Sequence, residues 1–346
     1  MALGLARRGW SVTYACPGYL HRRAQTVESG LALPASLQVV QPPALPGANR
    51  LKMIGRLNRW LMQRELRYPG SGPWDVVIYN APHLSPLVTR LPAHFRVFDY
   101  MDDLSAMMPT EPSSGSPEDT ALGVADRVWT GTASLADRIA GRHEHVRFIP
   151  CGVDAERFAH PDKAQMEKAR GDLPVGQGPV AGYFGVLNER FDMERVEALL
   201  RSGPWRVLLI GPTTSRAPAL PDHPRLRWIG PRPYAELPAY LGCFDLALIP
   251  YDTHGPHRFL YPVKALEYLA GAMPVLSTPL PDIVRFLGEF VELADSAEDW
   301  FDVGQRLLSE LGPAQERARR GQAYAQSRSW DAMIDEMCEE LAQVRP

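Results

Sequence analysis

The sequence predicts an α/β protein built from two doubly wound, Rossmann-like domains, and three observations carry that expectation. Short apolar runs alternate with longer segments of helical period, the pattern of β-α units around parallel sheets. A chain of 346 residues suffices for about two domains, each with its own core. Apolar residues at 45% and charged residues at 22% give a globular balance, which excludes a disordered tail or a coiled coil.

Taken in order, strands are expected over 11–15, 75–79, 96–100, 126–130 and 146–149 in the first half, where β-branched and aromatic residues cluster. The second half offers 180–184, 206–210, 226–229, 246–250, 274–277 and 290–293. Helical periods fall between them at 135–141, 193–201, 234–241, 263–270 and 297–310. The turn-forming stretch 154–178 separates the halves, giving domains over 1–158 and 159–322, with 323–346 as a last helix returning toward the first domain. Residues 111–120 (EPSSGSPEDT) keep no apolar period and read as an exposed loop.

The 37 Lys+Arg against 40 Asp+Glu leave a net charge of −3, so net charge excludes general polyanion binding and no nucleic-acid partner is expected. That sum hides +9 over residues 1–98 and −12 over the remainder. Cys16, Cys151, Cys243 and Cys338 are widely spaced with no CxxC pair, which suits reduced thiols better than a disulfide framework or a zinc site. Without a long apolar run or a signal-like start, a cytoplasmic location is expected.

The segment LYPVKALEYLAGAMPVLST, residues 260–278, is the most informative. A helix starting near Pro262 or Val263 carries Lys264 and Glu267 one turn apart, at the sheet edge where helix N-termini favour phosphate. There the lysine can neutralise a phosphate and the glutamate can accept from two sugar hydroxyls, although the same spacing suits an ordinary surface ion pair. EYLAGAMPV resembles the nucleotide-sugar helix of the GT-B glycosyltransferases, especially the retaining family 4 (group 1) type. VRFIPCGVDAERF, ADRVWTGTASLADRI, VAGYFGVLNERFD and IGPRPYAELPAYLGCFDLALIPY are similar to other family segments, in the family's order. Within that family the chain looks most like enzymes of teichuronic acid and other surface polysaccharides.

The resemblance implies a glycosyltransferase that takes sugar from a nucleoside diphosphate sugar to a glycan or lipid-linked acceptor, with retention. No metal is implied, and no cofactor beyond the sugar nucleotide as co-substrate. By the same resemblance Glu267 holds the donor ribose, Lys264 and Arg190 meet the diphosphate, and Gly185 and Tyr234 belong to the donor site. His257 and Arg258 would line the hexose. Two departures stand out: Phe259 occupies the place of a first motif glutamate eight residues before Glu267, and FDYMDD stands where the family often has a histidine. Asp102 or Asp103 would replace that histidine at the reacting sugar, or simply cap a helix, and His83 is a further cleft candidate.

The start MALGLARRGWSVTYACP matches the family's first helix and second strand, so the first strand of the N-domain sheet is expected to be missing from the sequence. A catalytically lapsed GT-B module binding nucleotide or a partner, or a sugar-nucleotide epimerase, is the alternative. The segment from Arg50 to Arg67 sets Lys52, Arg56, Arg59 and Arg67 on one helical arc, with Met53, Ile54, Leu57, Trp60 and Leu61 opposite. It suits either packing on the sheet or an anionic membrane surface at the inner leaflet.

Overall fold

The computed structural model describes residues 1–16, 18–19, 33–45, 52–66, 72–101, 116–254, 259 and 263–344. The chain forms two units. The first comprises Met1–Thr130, Ala136–Ile149 and Met333–Pro346, and the second comprises Gly131–Leu135 and Pro150–Ala332. The sequence reading placed the division at 158/159, whereas Val153 bridges to Ser329 and Phe158 lies in the second unit's core.

In the first unit, helix α1 (Ala2–Arg7) leads into β1 (Val12–Ala15), followed by β2 (Gly18–Tyr19), β3 (Leu37–Val40), β4 (Pro43–Ala44) and helix α2 (Lys52–Glu65). Then come β5 (Trp74–Tyr79), α3 (Ser85–Val88), β6 (Ala93–Tyr100), α4 (Pro117–Val124), β7 (Arg127–Thr130), α5 (Ala133–Ile139) and β8 (Val146–Phe148). β5, β6, β7 and β8 form one parallel sheet in that order, while β1 pairs only with β3 and β2 only with β4 among the described residues. Among the described residues no strand joins the β1–β3 pair to this sheet.

The expected loop at 111–120 is partly wrong. Ser116 accepts from the Asp119 amide and Asp119 from the Ser116 amide, a capping box that starts α4. Glu118 of that helix is buried; burial opposes its ionisation, but hydrogen bonds from Tyr100, Arg142 and Arg138 hold its carboxyl below the usual range. Helix α2 also departs from two opposed arcs. Met53, Leu57 and Trp60 are exposed beside Arg56 and Arg64, and only Ile54 and Leu61 of the apolar set are half-buried.

The second unit runs α6 (Ala155–Ala159), α7 (Lys163–Arg170), β9 (Val180–Phe184), α8 (Met193–Arg201), β10 (Arg206–Ile210), β11 (Leu226–Trp228), α9 (Leu237–Leu241), β12 (Leu246–Ile249), α10 (Val263–Ala270), β13 (Val275–Ser277), α11 (Pro281–Leu287), β14 (Glu292–Leu293) and α12 (Ala297–Ser327). Its six strands are parallel in the order β11-β10-β9-β12-β13-β14. Counted from β9 this is 3-2-1-4-5-6, so the chain reverses direction across the sheet between β9 and β12 and opens a crevice at their carboxyl ends. β9 and β12 are buried along their whole length, as strands covered by helices on both faces must be.

The last helix, α13 (Trp330–Ala342), belongs to the first unit. Met333, Ile334, Met337 and Leu341 join Leu5, Val97, Trp129 and Ile149 in one apolar cluster. Buried Glu340 accepts from Trp129 Nε1 at 2.9 Å and pairs with Arg127 at 3.1 Å and Arg147 at 3.5 Å, so its charge is balanced by two guanidinium groups.

Candidate functional site

The site grows from the carboxyl ends of β9 and β12. β9 ends at Phe184, and Gly185 then takes φ 153°, a backbone conformation that side chains disfavour. A Cβ there would lie 2.1 Å from Lys264 Cε and 2.9 Å from its Nζ, so the glycine makes room for the lysine stem. Lys264 stands in the first turn of α10, where its ammonium approaches the strand ends from the helix start.

Tyr251, just beyond β12, packs its ring 6.0 Å from the Lys264 ammonium. Its hydroxyl lies 3.1 Å from that of Tyr183, which donates to the Val186 carbonyl at 3.0 Å. Tyr251 raises the basicity of Lys264, burial opposes this, Glu267 adds to it and the Arg190 charge subtracts, so the ammonium stays protonated.

Glu267, one turn further along α10, is buried and accepts from the Tyr234 hydroxyl at 2.9 Å. Burial raises its pKa against the pull of the Tyr234 bond and the Lys264 charge. The two helix residues therefore do not form an exposed surface ion pair. Tyr234 in turn loses acidity through burial and the neighbouring carboxylate, while its ring meets Phe158 edge-on at 5.8 Å and Arg157 at 5.7 Å.

Arg190 lies in the loop after β9, which is anchored by the bridges Leu187–Thr213 and Phe191–Tyr251. Its carbonyl accepts from the Asp252 amide at 2.8 Å, but its Nε is buried with no hydrogen-bond partner among the described residues. A buried guanidinium donor without an acceptor is costly unless an anion supplies one.

Of the residues singled out from sequence, Gly185, Arg190, Tyr234, Lys264 and Glu267 all lie around this crevice of the second unit. Asp102, Asp103, His257 and Arg258 lie outside the described residues. Phe259 is half-buried. His83 lies in the first unit, where burial of its ring and the Arg59 charge lower its pKa. Tyr183 and Tyr251 were not foreseen; their signal was an aromatic residue at or beside the end of each central strand. No group of three His, Cys, Asp or Glu suited to a metal occurs among the described residues, and no described helix is long and apolar enough to cross a membrane.

No family model matches the chain. It is 27% identical over 204 residues to TuaH of Bacillus subtilis, named as a teichuronic acid biosynthesis glycosyltransferase. The match takes in 56% of this chain and spans about half, 50%, of the length of that relative. Among solved structures, sucrose-phosphate synthase of Thermosynechococcus elongatus superposes with a TM-score of 0.73 at 15% identity, over 99% of this chain and 91% of that one. HepE of Anabaena, solved in complex with UDP, superposes with a TM-score of 0.67 at 15% identity, over 89% of this chain and 86% of its own. The chain has the GT-B fold of these proteins and resembles the family 4 type of glycosyltransferase.

Proposed function

We propose that the chain is a glycosyltransferase that moves a sugar from a nucleoside diphosphate sugar to a glycan or lipid-linked acceptor, with retention of configuration and without a metal. The observation that carries this reading is the convergence of three groups at the switch between β9 and β12: protonated Lys264, Arg190 with a buried Nε that has no acceptor among the described residues, and the buried carboxylate of Glu267. Two cations suit a diphosphate, and an acceptor-only carboxylate one helical turn away suits the paired hydroxyls of a ribose. HepE, of the same fold, was solved with UDP and with UDP-glucose.

In this reading the bond between the anomeric carbon and the diphosphate oxygen breaks, and its electron pair stays on that oxygen. Lys264 and Arg190 are aimed where this charge grows, so they stabilise the transition state more than the bound donor. The acceptor oxygen attacks the same face of the sugar, and its proton passes to the departing diphosphate. His257, Arg258, Asp102 and Asp103 are assigned to the sugar and acceptor on the family resemblance alone.

The test is release of nucleoside diphosphate from a panel of sugar nucleotides with and without glycan and lipid-linked acceptors, together with the anomeric configuration of the product. Binding of nucleotide with no turnover of any donor would favour the lapsed module, a reading to which Phe259 in place of the motif glutamate lends weight.

The exposed face of α2 extends the proposal to the acceptor side. Met53, Leu57 and Trp60 alternate with Arg56 and Arg64 on one surface, a composition that suits anionic lipid headgroups above a shallow apolar layer. Sedimentation should show binding to vesicles with anionic lipid and little to neutral ones; equal binding to both, or to neither, rejects it.

A further inference from the structure

Tyr234, whose hydroxyl meets Glu267 at 2.9 Å, stands in a single 3-10 turn, Tyr234–Glu236, between β11 and α9. The loop that leads into it holds Pro231 and Pro233, which have no amide to donate, so its course rests more on side chains. Arg232, between the two prolines, supplies them from within the loop. Its Nη1 donates to the Ile229 carbonyl at 2.8 Å and to that of Pro231 at 3.3 Å. Its Nε donates to the Tyr240 hydroxyl at 2.9 Å, and its Nη2 to the Asp172 carboxylate at 3.2 Å.

One guanidinium thus ties the start of the loop to α9 beyond its end, and both to the turn that follows α7. Asp172 closes the cluster: it accepts from the Tyr240 hydroxyl at 2.7 Å and pairs with Arg227 at 3.6 Å. The Tyr240 bond, joined by the bond and charge of Arg232, holds the Asp172 carboxyl below its ordinary range although burial opposes this. All three guanidinium nitrogens are engaged, a use of the planar fork that no ammonium could reproduce. Tyr234 is itself 44% exposed, so packing alone holds it less firmly than the buried Tyr240.

We infer that Arg232 is a positioning residue for the donor: with Asp172 and Tyr240 it sets the loop so that the Tyr234 hydroxyl meets Glu267, and it acts on the bound nucleotide only through that contact. The inference rests on the donor role proposed for Glu267. The Tyr234 hydroxyl takes one lone pair of Glu267 Oε1 and orients the carboxylate, which leaves the other oxygen for ribose. A carboxylate on the ribose is remote from the breaking glycosidic bond and binds substrate and transition state alike. Loss of its orientation therefore falls on KM rather than on kcat.

The test measures binding of uridine, guanosine, adenosine and thymidine diphosphates by calorimetry to the wild type, Arg232→Met, Tyr234→Phe and the double variant. Arg232→Met leaves Asp172 its Tyr240 and Arg227 partners, and melting curves check the folding of each variant. Each single variant should weaken binding of the nucleotide that the wild type takes by about tenfold, and the double variant no further than the weaker single, since both act through one contact. With the sugar nucleotide that turns over, KM should rise by the same factor while kcat holds. If Arg232→Met does not fold, Tyr240→Phe, which removes the hydroxyl shared by Arg232 and Asp172, takes its place in the same cycle. Unchanged affinity in either single variant, losses that multiply to about a hundredfold, or a fall in kcat alone would overturn the inference and leave the donor reading standing. A wild type that binds none of the four nucleotides would instead reject the donor reading, and the inference with it.

Discussion

Replacing Gly185 by alanine tests the site through a residue that has no charged or polar side chain of its own. The added Cβ would sit 2.1 Å from Lys264 Cε and 2.7 Å from the Tyr183 hydroxyl, where ordinary contact begins at 3.4 Å. The lysine stem must therefore retreat by about 1.3 Å, since the buried Tyr183 ring cannot. Backbone strain at φ 153° and local overpacking together cost about 1–3 kcal/mol of stability. A cation displaced by about 1 Å from the charge it must balance costs about a hundredfold in rate. The assay is nucleoside diphosphate release for the wild type, Gly185→Ala, Lys264→Ala and the double variant, with melting curves for each. If the glycine serves to seat Lys264, the double variant should be no worse than Lys264→Ala in rate, because the seat is useless once the lysine is gone. Multiplying losses, or an active Gly185→Ala enzyme, would refute the reasoning.

Three further outcomes are expected. Lys264→Arg keeps the charge but brings a larger planar head into the space beside Gly185, so kcat/KM should fall tenfold or more, and unchanged turnover would count against a seated ammonium. Burial raises Glu267, so its stability contribution is complete below its ordinary value of 4.5 and is lost as pH climbs through the raised one. Glu267→Gln should thus melt no lower than wild type at pH 8 while binding uridine or guanosine diphosphate more weakly, and parallel losses in both would reassign the residue to the fold. Burial pushes Asp99 on β6 up to about 6 from 3.8, opposed by the Met1 amino group, so at pH 8 its ionised form costs about 3 kcal/mol. Urea unfolding of Asp99→Asn should show that gain at pH 8 and none at pH 3.5.

What could be read in the sequence was whatever local pattern alone dictates. The second unit's inner strands β9, β10, β12 and β13 are largely apolar runs flanked by turn formers, and all six strands stand within a few residues of their expected places. Helical spacing and a glycine stop fixed the relation of Lys264 and Glu267 inside one short element, but spacing alone suited a surface ion pair as well, and their donor role came from the resemblance. Pairings between distant segments were not legible: nothing near Tyr234 announces the carboxylate 33 residues on that its hydroxyl meets. The helix α4 was missed although Ser116 and Asp119 carry its capping signal, because an absent apolar period outweighed it. Helix α2 misled in the opposite sense, since a helical wheel separates charge from apolar surface but does not say which apolar residues find a partner.

The place of α13 also bears on how the chain can be made. Its methionines and Glu340 complete a cluster whose other members were synthesised before residue 150. At about 5–20 residues per second, roughly 10 to 40 seconds separate the emergence of Ile149 from that of Met333 on a ribosome. Throughout that interval Trp129 and the two arginines of β7 and β8 have neither their apolar cover nor their carboxylate. The second unit, contiguous apart from five residues, is complete before the first. The unit whose synthesis starts first is thus the one completed last, and its apolar cluster stays uncovered the longer.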